Sequence, residues 1–338
     1  MILTYKVRHG GNFTRELALA RKVAEYAVEH RSMSSKDVKH LGLKSAIANQ
    51  VLRKYARSKT VKEVRNVKLT IPSQGVKRDG DMLRISCLKL DIPITFPSGF
   101  DKVNQVEVGS EFAYVSVTFK EPAPYAPSTV LGVDRNTTLH VLVASNLDTG
   151  KVLKLGKSCH HVHKKYRDLR RKFQRQGKLG LLKRIKHRES NLITNTNHHI
   201  SKKLIATAKE QKAVVVLEDL KHIRTTAPTR SRNHRHSLNS WSFHQLASMM
   251  EYKAKKQGVS IAYVAPQYTS QRCCKCGHID AKNRIGNKFC CLKCAAVEDS
   301  GANAGFNIAT LHREGIPRFS ADRDALKGST DTPREATP

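Results

Sequence analysis

The stretch from Thr269 to Asn307 reads TSQRCCKCGHIDAKNRIGNKFCCLKCAAVEDSGANAGFN and contains six of the eight cysteines of the chain. Two pairs within it, Cys273-x-x-Cys276 and Cys291-x-x-Cys294, have the spacing of a four-cysteine zinc ribbon. In such a ribbon two tight turns each offer two thiolates to one tetrahedral ion. The stretch therefore predicts a structural Zn²⁺ site formed by these four cysteines.

Two neighbouring cysteines leave the ligand set open at this point. Cys274 and Cys290 adjoin the predicted ligands and could replace Cys273 or Cys291. Gly277 supplies the backbone freedom that the first turn needs. The segment between the pairs has few apolar residues, so we expect it to fold only with the metal, whose binding contributes roughly 10–16 kcal/mol in zinc peptides. Disulfides or free buried thiols are the alternative.

The charge of the chain indicates its partners. Its 338 residues have a formal net charge of +33, and the Lys and Arg residues are spread over every segment. Such a charge favours a long polyanion, so nucleic acid is a better candidate than a single phosphate group. A ribosomal protein or a protein of membrane surfaces is the alternative for this composition.

No segment predicts secretion or insertion into a membrane. The N-terminal residues run directly into a charged, alternating segment, and no apolar run approaches the length of a membrane span. The cysteines cluster as metal ligands and are not spread as a disulfide framework, which fits a reducing compartment. We therefore expect a cytoplasmic protein.

The N-terminal part alternates between strand and helix patterns. Residues 2–9 are rich in β-forming residues, and three further alternating segments follow between residues 66 and 120. A small antiparallel barrel formed by residues 1–11 and 61–122 is the simplest interpretation. Two apolar helical faces within residues 12–60 predict a helical unit inserted into that barrel.

The inserted helical unit has two interpretations. A short helix at residues 35–41, a turn at Gly42 and a longer helix from Ile47 to Tyr55 have the outline of a helix-turn-helix. The same outline often serves only as a packing unit. In either case Arg53 and Lys54 are predicted to contact nucleic-acid backbone.

A proline-rich linker at residues 123–128 separates this part from a predicted α/β domain. We expect that domain to consist of residues 129–266 and 298–314, interrupted by the zinc ribbon at residues 267–297. Residues 315–338 are polar and predict a disordered tail.

Two segments of the α/β domain are strongly basic. Residues 160–210 predict a long helical stretch, and residues 221–240 predict a mobile loop. Both are expected to hold nucleic acid mainly through its phosphates. The residues predicted to contact nucleic acid here are Lys164, Lys165, Arg167, Arg170, Arg171, Arg175, Arg230 and Arg232.

Two predicted strands of the α/β domain end in carboxylates, Val130–Asp134 and Ala213–Glu218. An isolated buried acid is costly, so two of them in a strongly basic protein suggest a site where metal ions neutralise them. Oxygen ligands suit Mg²⁺ or Mn²⁺, and such acids support two-metal phosphodiester hydrolysis. For either acid alone, a helix cap or an ion pair with lysine is the alternative.

Together these segments resemble the TnpB family, insertion-sequence proteins of the OrfB type that are related to type V CRISPR effectors. The resemblance covers roughly Val130 to Thr310 and extends more loosely over the N-terminal half. The matching motifs are Gly132-Val-Asp134-Arg-Asn, Val214-Val-Val-Leu-Glu218-Asp-Leu, Thr269-Ser-Gln-x-Cys-x-x-Cys-Gly, Phe289-x-Cys-x-x-Cys and Asn303-Ala-x-x-Asn307-Ile.

The resemblance implies a fold and an activity. The fold is an α/β RNase H-like (RuvC) domain with an inserted four-cysteine zinc ribbon, plus an N-terminal β-barrel (wedge) domain with a helical recognition insertion. The activity is that of a prokaryotic, transposon-associated endonuclease, in which a guide RNA directs cleavage of target DNA. Such a protein would be associated with the nucleoid when it is bound to DNA.

The third acid of the family is where this sequence departs from the pattern. The family has Asp at the position of Gly301, and Gly301 has no side chain to bind a metal. Asp299 and Glu298 are the near substitutes, and with Asp299 as the third acid the candidate catalytic residues are Asp134, Glu218 and Asp299. A second departure is Ala295, where the family has Gly.

Three hypotheses follow from the sequence. The first is an RNA-guided DNA endonuclease, and the second is a guided DNA-binding protein whose cleavage is impaired or lost because of Gly301. The third is a plain zinc-ribbon RNA-binding protein, which the order of the motifs and the two acids at strand ends make the weakest.

Overall fold

The structure is a computed structural model that describes residues 1–96, 99–136, 139–220 and 243–316. The chain divides into two compact units, and the boundary lies between Glu121 and Pro122.

Two predictions concern residues that the structure does not describe. The basic loop at residues 221–240, which includes Arg230 and Arg232, lies outside the described ranges. The same holds for the tail predicted at residues 315–338, apart from its first two residues.

The first unit contains two antiparallel sheets. The larger sheet has the strand order β1 (Ile2–Arg8), β7 (Phe112–Phe119), β6 (Phe100–Val108) and β2 (Leu69–Pro72). The smaller sheet has the order β3 (Lys77–Asp79), β4 (Met82–Ile85) and β5 (Leu90–Pro93). Strand β7 alternates between half-buried and buried side chains along its whole length, which is the period-two pattern of a strand with one face in the core.

The two sheets differ from the single barrel that the pattern predicts. A 3-10 turn at Ser73–Gly75 follows β2, and β3, β4 and β5 pair only with one another in the described part of the chain. Both sheets nevertheless supply one apolar core, with Leu83 from the smaller sheet and Val115 from the larger.

Two helices lie between β1 and β2 in the chain, α1 (Thr14–His30) and α2 (Ser45–Ala56). The segment predicted as a short helix is only a 3-10 turn, Lys39–Leu41, that ends at Gly42 with φ of 75°. This outline favours a packing unit over a helix-turn-helix. The apolar faces of both helices are buried, as the sequence predicts, through Ala20, Val23, Ala24, Ala27, Ile47, Ala48, Val51 and Leu52.

The second unit is built on a five-stranded sheet. Its strand order is β10 (Val152–Leu155), β9 (Leu142–Asn146), β8 (Thr129–Arg135), β11 (Ala213–Glu218) and β12 (Ile261–Val264). Strand β9 runs antiparallel to both β8 and β10, whereas β11 lies parallel to both β8 and β12. Because β8 and β11 are parallel neighbours, their carboxyl ends lie side by side.

Helices cover both faces of this sheet. They are α3 (Lys157–Arg175), α4 (Leu179–Glu210), α5 (Phe243–Gln257) and α6 (Ser300–Arg313). Leu204 of α4 and Met250 of α5 share a core with Val215, whereas Ile308 of α6 packs with Val216 on the opposite face. This explains why every side chain of β11 is buried. The long basic helix predicted at residues 160–210 is two helices, with a turn between them at Gly177.

Helix α6 lies unusually close to β8. A methyl group on Gly132 would lie 2.0 Å from the carbonyl oxygen of Gly305, so only glycine permits this approach. The approach brings the first turn of α6, with Gly301, beside the carboxylate of Asp134.

The predicted ribbon precedes α6. Its strands β13 (Arg284–Ile285), β14 (Lys288–Cys290) and β15 (Val297–Asp299) form a three-stranded antiparallel sheet. Phe289 packs with Cys273 and Cys291 in a small apolar cluster of its own. Within the described ranges, no helix is long and apolar enough to cross a membrane.

Candidate functional site

The structure brings four cysteine sulfur atoms together at the ribbon. The Sγ atoms of Cys273, Cys276, Cys291 and Cys294 all lie within 4.8 Å of one another. The pair Cys273–Cys294 is separated by 3.7 Å and the pair Cys276–Cys291 by 3.5 Å. Four thiolates around Zn²⁺, at Zn–S distances of about 2.3 Å, would be about 3.8 Å apart. The donor set could therefore hold a tetrahedral metal ion.

The same geometry decides between the cysteines that the sequence leaves open. Cys274 and Cys290 are not members of the four-sulfur group. The backbone N–H of Cys274 donates a hydrogen bond to Asn303 Oδ1 at 2.9 Å, and Cys290 is exposed on β14. Among the residues that the structure describes, the four-cysteine group is the only set of three or more His, Cys, Asp or Glu residues close enough to hold a metal ion.

Two local turns produce this arrangement. The N–H of Gly277 donates to the carbonyl oxygen of Cys273 at 2.9 Å, and the N–H of Ala295 donates to that of Cys291 at 2.9 Å. Gly277 has φ of 75° and Ala295 has φ of 56°, so both turns end in left-handed backbone. This conformation is free of cost for glycine and strained for alanine. The second turn therefore keeps its geometry against a local penalty.

The two predicted acids lie at neighbouring strand ends. Leu217 of β11 is paired with Val133 of β8, so Glu218 and Asp134 follow at the next step on the same face of the sheet. Asp134 is 6% exposed and Glu218 is 7% exposed. The sequence prediction that both acids end buried strands agrees with this arrangement.

Burial dominates the titration of both acids. It raises the pKa of Asp134 to about 6, although the charge of Arg284 and a hydrogen bond from Asn136 act in the opposite direction. Burial and the neighbouring charge of Asp134 raise the pKa of Glu218 to about 7, against a hydrogen bond from Thr269. Both carboxylates are therefore costly to ionise in this environment, and a bound cation would remove that cost.

Each acid is held from one side. Asn136 Nδ2 donates to Asp134 Oδ2, and Thr269 Oγ1 donates to Glu218 Oε1 at 2.5 Å. The guanidinium of Arg135 donates to the backbone carbonyl oxygen of Glu218. Among the described residues, the other carboxylate oxygen of each acid accepts no hydrogen bond from a side chain.

Asp299 has a different role in the structure from the one that the sequence suggests. It is the N-cap of α6, where its Oδ1 accepts hydrogen bonds from the N–H groups of Gly301 and Ala302, both at 3.1 Å. Its Oδ2 forms an ion pair with Lys154 Nζ at 2.7 Å. Partial burial acts to raise the pKa of Asp299, but Lys154 and the two amides hold it below its ordinary value.

The structure does not bring Asp299 into a common ligand set with the acid pair. Its charge acts on Asp134 only as the smallest of the influences on that pKa. The position next to Asp134 is instead Gly301, where a methyl group would lie 3.4 Å from Asp134 Oδ2. The same methyl group would lie 2.8 Å from Cγ2 of Val143, so a larger residue at position 301 requires Val143 to move.

The predicted nucleic-acid contacts within the described ranges lie on helix surfaces. Lys164, Lys165, Arg171 and Arg175 are exposed on α3. Two other predicted contacts on this helix already have acidic partners, since Arg167 pairs with Asp168 and Arg170 with Glu189. In the first unit, Arg53 and Lys54 are exposed on α2, and Lys54 pairs with Glu107 at 2.7 Å.

Sequence reasoning missed two residues that act on the acids. Arg284 is the largest lowering influence on the pKa of Asp134, yet in the sequence it is only one of several cations between the cysteine pairs. Thr269 stands in a quoted motif, but nothing in its spacing indicates a contact with Glu218, which is 51 residues away in the chain. The charge effect of Arg284 and the hydrogen bond of Thr269 both depend on where the fold places the ribbon relative to the sheet.

Comparisons with known proteins agree with this architecture. A family model described as Cas12f1-like, TNB domain, matches residues 243–308. The CRISPR-associated endodeoxyribonuclease Cas12f1 of Sulfoacidibacillus thermotolerans is 32% identical over 196 residues, which are 53% of this chain and 45% of that protein. A TnpB-like protein of Methanocaldococcus jannaschii is 33% identical over 150 residues, 44% of this chain and 53% of that protein.

The chain is a homologue of TnpB-like and Cas12f proteins. This confirms the resemblance that the motifs indicate. The fold of this chain is also similar to that of a Cas12f1 protein whose structure was solved with sgRNA and target DNA. The two structures match with a TM-score of 0.63 at 14% identity, over 88% of this chain and 82% of that one. The chain spans about half the length of the two relatives named above.

Proposed function

We propose that this chain is an RNA-guided DNA endonuclease of the TnpB type in which Asp134 and Glu218 hold the catalytic metal. The observation that supports this most directly is the pair of buried carboxylates at adjacent ends of β8 and β11. The order of the five strands supports an RNase H-like (RuvC) domain, with antiparallel pairing among β10, β9 and β8 and parallel pairing among β8, β11 and β12. The division into a wedge domain, at residues 1–11 and 61–122, with an inserted helical unit at residues 12–60 belongs to the same proposal.

The residues present fit the metals that the proposal requires. Asp134 and Glu218 offer carboxylate oxygens, the donors that Mg²⁺ and Mn²⁺ prefer, in an environment that penalises their uncompensated charge. The four thiols fit a structural Zn²⁺, since their spacing is that of a tetrahedral S₄ site. We assign the acids to Mg²⁺ or Mn²⁺ and the thiols to Zn²⁺.

The chain's own residues orient the acids. A divalent cation at this place would activate a water molecule and stabilise charge on the phosphate. Asn136 and Thr269 each fix one oxygen of an acid and leave the other oxygen available for a ligand. Arg284 adds positive charge near both acids, which favours the approach of a phosphodiester.

Guide RNA and target DNA are the proposed partners. The formal charge of +33 and the exposed cations of α3 support binding to phosphates over a long surface. The matching Cas12f1 chain was solved in a complex with sgRNA and target DNA. If Arg171 and Arg175 contact DNA phosphates, replacing each with alanine should reduce the slope of log affinity against log salt by about 0.9.

The test is cleavage of a plasmid that matches the guide, by the protein purified with its guide RNA, in Mg²⁺ or Mn²⁺. We expect cutting by the wild type and none by Asp134→Asn or Glu218→Gln. Asp219→Asn is the matched control, since this carboxylate follows Glu218 directly and the alternation of a strand directs it to the opposite face. Cutting that survives in both acid variants would refute the assigned site.

A second candidate function is a guided DNA-binding protein that does not cut. The observation that favours it is the lack of a third carboxylate beside Asp134: Gly301 has no side chain, and Asp299 is occupied by its amide partners and Lys154. Losing one ligand of a two-metal site should lower the rate by orders of magnitude while leaving DNA binding intact.

The two functions are separated by restoring the missing acid. Gly301→Asp alone would collide with Val143, so the test variant is Gly301→Asp combined with Val143→Ala, and Val143→Ala alone is its control. A wild type that binds matched DNA without cutting, together with a double variant that cuts, establishes the second function. A wild type that cuts as fast as the double variant excludes it.

A further inference from the structure

Two asparagines of α6 hold the segment that leads into the four-cysteine site. Asn303 and Asn307 are one helical turn apart, and both are completely buried. Asn303 accepts from the N–H of Cys274 at 2.9 Å and donates to the carbonyl oxygen of Arg272 at 2.8 Å. Asn307 donates to the carbonyl oxygens of Thr269 at 2.9 Å and Arg272 at 2.6 Å.

These contacts fix the backbone from Thr269 to Cys274 against the helix. The guanidinium of Arg272 adds a return contact, since its Nη1 donates to Asn307 Oδ1 at 3.2 Å. An asparagine amide that bonds to the main chain on both its donor and acceptor sides leaves little freedom for either group. The start of the ribbon is therefore positioned by α6, the helix that packs against β8.

The segment from Thr269 to Cys274 contributes a residue to each of the two candidate metal sites. At its C-terminal end, Cys273 is one of the four clustered thiols. At its N-terminal end, the hydroxyl of Thr269 donates to Glu218 Oε1 at 2.5 Å, and Thr269 is 2% exposed. The two sites are thus joined by one short, hydrogen-bonded piece of chain that is buried at Thr269 and Cys273 and half-buried between them.

We infer that Thr269 is a positioning residue for Glu218, and that Asn303 and Asn307 transmit the folded state of the four-cysteine site to it. The inference rests on the function proposed above. A carboxylate that binds a metal must present one oxygen in a fixed direction, and the outer hydrogen bond to its other oxygen sets that direction. Loss of the ribbon fold would free Thr269, and Glu218 would lose its orientation.

The hydroxyl of Thr269 can make this contact in only one way at a time. It has one proton, and its two acceptors within reach are Glu218 Oε1 and the carbonyl oxygen of Pro266, at 3.0 Å. Valine keeps the shape of threonine but has no proton to donate, whereas serine keeps the hydroxyl. The pair Thr269→Val and Thr269→Ser therefore separates the hydrogen bond from packing.

The test measures Mn²⁺ binding by the full-length, zinc-loaded protein, followed by electron paramagnetic resonance. We expect Thr269→Val to weaken Mn²⁺ binding by about 10- to 100-fold, the usual effect of removing an outer partner of a ligand. Thr269→Ser should recover most of the affinity, and zinc content and Tm should stay close to those of the wild type. Thr310→Val is the matched control, because the Thr310 hydroxyl donates only within α6, to the carbonyl oxygen of Phe306.

A second arm tests transmission from the four-cysteine site. Cys276→Ser, which removes one thiol of the cluster, should weaken Mn²⁺ binding in the wild-type background and have little further effect in Thr269→Val. Wild-type affinity in Thr269→Val, or fully additive effects of the two substitutions, would overturn the inference.

The role of Thr269 can still be tested if the proposed function is wrong. Failure of the function would appear as a wild type whose Mn²⁺ binding is absent or unchanged by Asp134→Asn. Crystal structures of the wild type and Thr269→Val then decide the inference alone. A displaced Glu218 carboxylate in the variant supports positioning by Thr269, and an unchanged one contradicts it.

Discussion

The four-cysteine site and the acid pair are assembled over very different distances along the chain. Cys273 and Cys294 are 21 residues apart, and each cysteine pair is closed by a hydrogen bond inside its own turn. Asp134 and Glu218 meet only because β8 and β11 pair, and the contact of Arg135 with Glu218 spans 83 residues. One site depends on local turns, and the other depends on the whole sheet.

The two sites also differ in what they have retained. The cysteine site keeps all four donors even though Ala295 adopts left-handed backbone that favours glycine. The acid site lacks a carboxylate at Gly301, and the space is closed by Val143. A buried acid costs stability wherever no cation compensates it, so the fold itself does not require a carboxylate at position 301, whereas we expect the ribbon to unfold when one of its four thiols is missing.

The largest expected effect is on the ribbon. Cys276→Ser should reduce zinc content from one ion per chain to substoichiometric levels and expose the ribbon to proteolysis, since metal binding contributes about 10–16 kcal/mol to such folds. Metal analysis and limited proteolysis measure this. Cys290→Ser is the control, because Cys290 is exposed and outside the cluster, and it should retain one zinc. Equal zinc loss in both variants would show that the ligand set is wrong.

The second-largest expected effect is on Mn²⁺ binding, which should depend on the two acids, whereas zinc binding should not. Asp134→Asn and Glu218→Gln should each lower Mn²⁺ affinity by at least about 100-fold, because each removes a charged ligand. Zinc content should remain at one ion per chain in both variants. Isothermal titration of the zinc-loaded protein with Mn²⁺ measures the change. Undiminished Mn²⁺ binding in both variants would show that the divalent cation binds elsewhere in the protein.

The acid pair should also give the fold a pH dependence. The pKa values of about 6 for Asp134 and about 7 for Glu218 exceed the ordinary values of 3.8 and 4.5. The folded protein therefore binds more protons than the unfolded chain between about pH 4 and pH 7, so the free energy of unfolding falls as the pH rises through this range.

Calorimetry without added divalent cation measures this dependence. We expect the Tm of the wild type to fall by a few degrees more than that of the double variant Asp134→Asn, Glu218→Gln between pH 5 and pH 8. Added Mn²⁺ should raise the Tm of the wild type at pH 8 and leave the Tm of the double variant unchanged. Parallel pH profiles for the two proteins would contradict the raised pKa values.

The smallest expected effect concerns Asp299. As the N-cap of α6, its replacement by alanine should cost about 1 kcal/mol of unfolding free energy, and Asp299→Ser should recover most of it because serine also caps helices. Denaturant unfolding measures both changes. A metal-binding role gives a different pattern: neither variant would then retain the Mn²⁺ affinity of the wild type.

Much of the fold can be predicted from local patterns. The apolar faces of α1 and α2, the alternation of β7 and the apolar run of β11 before Glu218 all follow from the sequence pattern, because burial of one face or both imposes it. The barrel prediction differs from the two observed sheets, since strand alternation carries no information about which strands hydrogen-bond. The sequence pattern also did not predict the break between α3 and α4 at Gly177.

The sequence by itself determined the components of both sites. The spacing of the cysteines predicts a four-thiol cluster, and apolar strands that end in Asp134 and Glu218 predict a pair of buried acids, because local spacing limits where these side chains can point. Only the tertiary structure decided that Cys274 and Cys290 stand outside the cluster and that Asp299 caps α6.

The contact between Thr269 and Glu218 was likewise decided only by the fold. It depends on how the ribbon, α6 and the sheet pack together, and such packing joins residues far apart in the chain whose relation leaves no local pattern. Short-range geometry is encoded in spacing, whereas long-range contacts exist only once the core has formed.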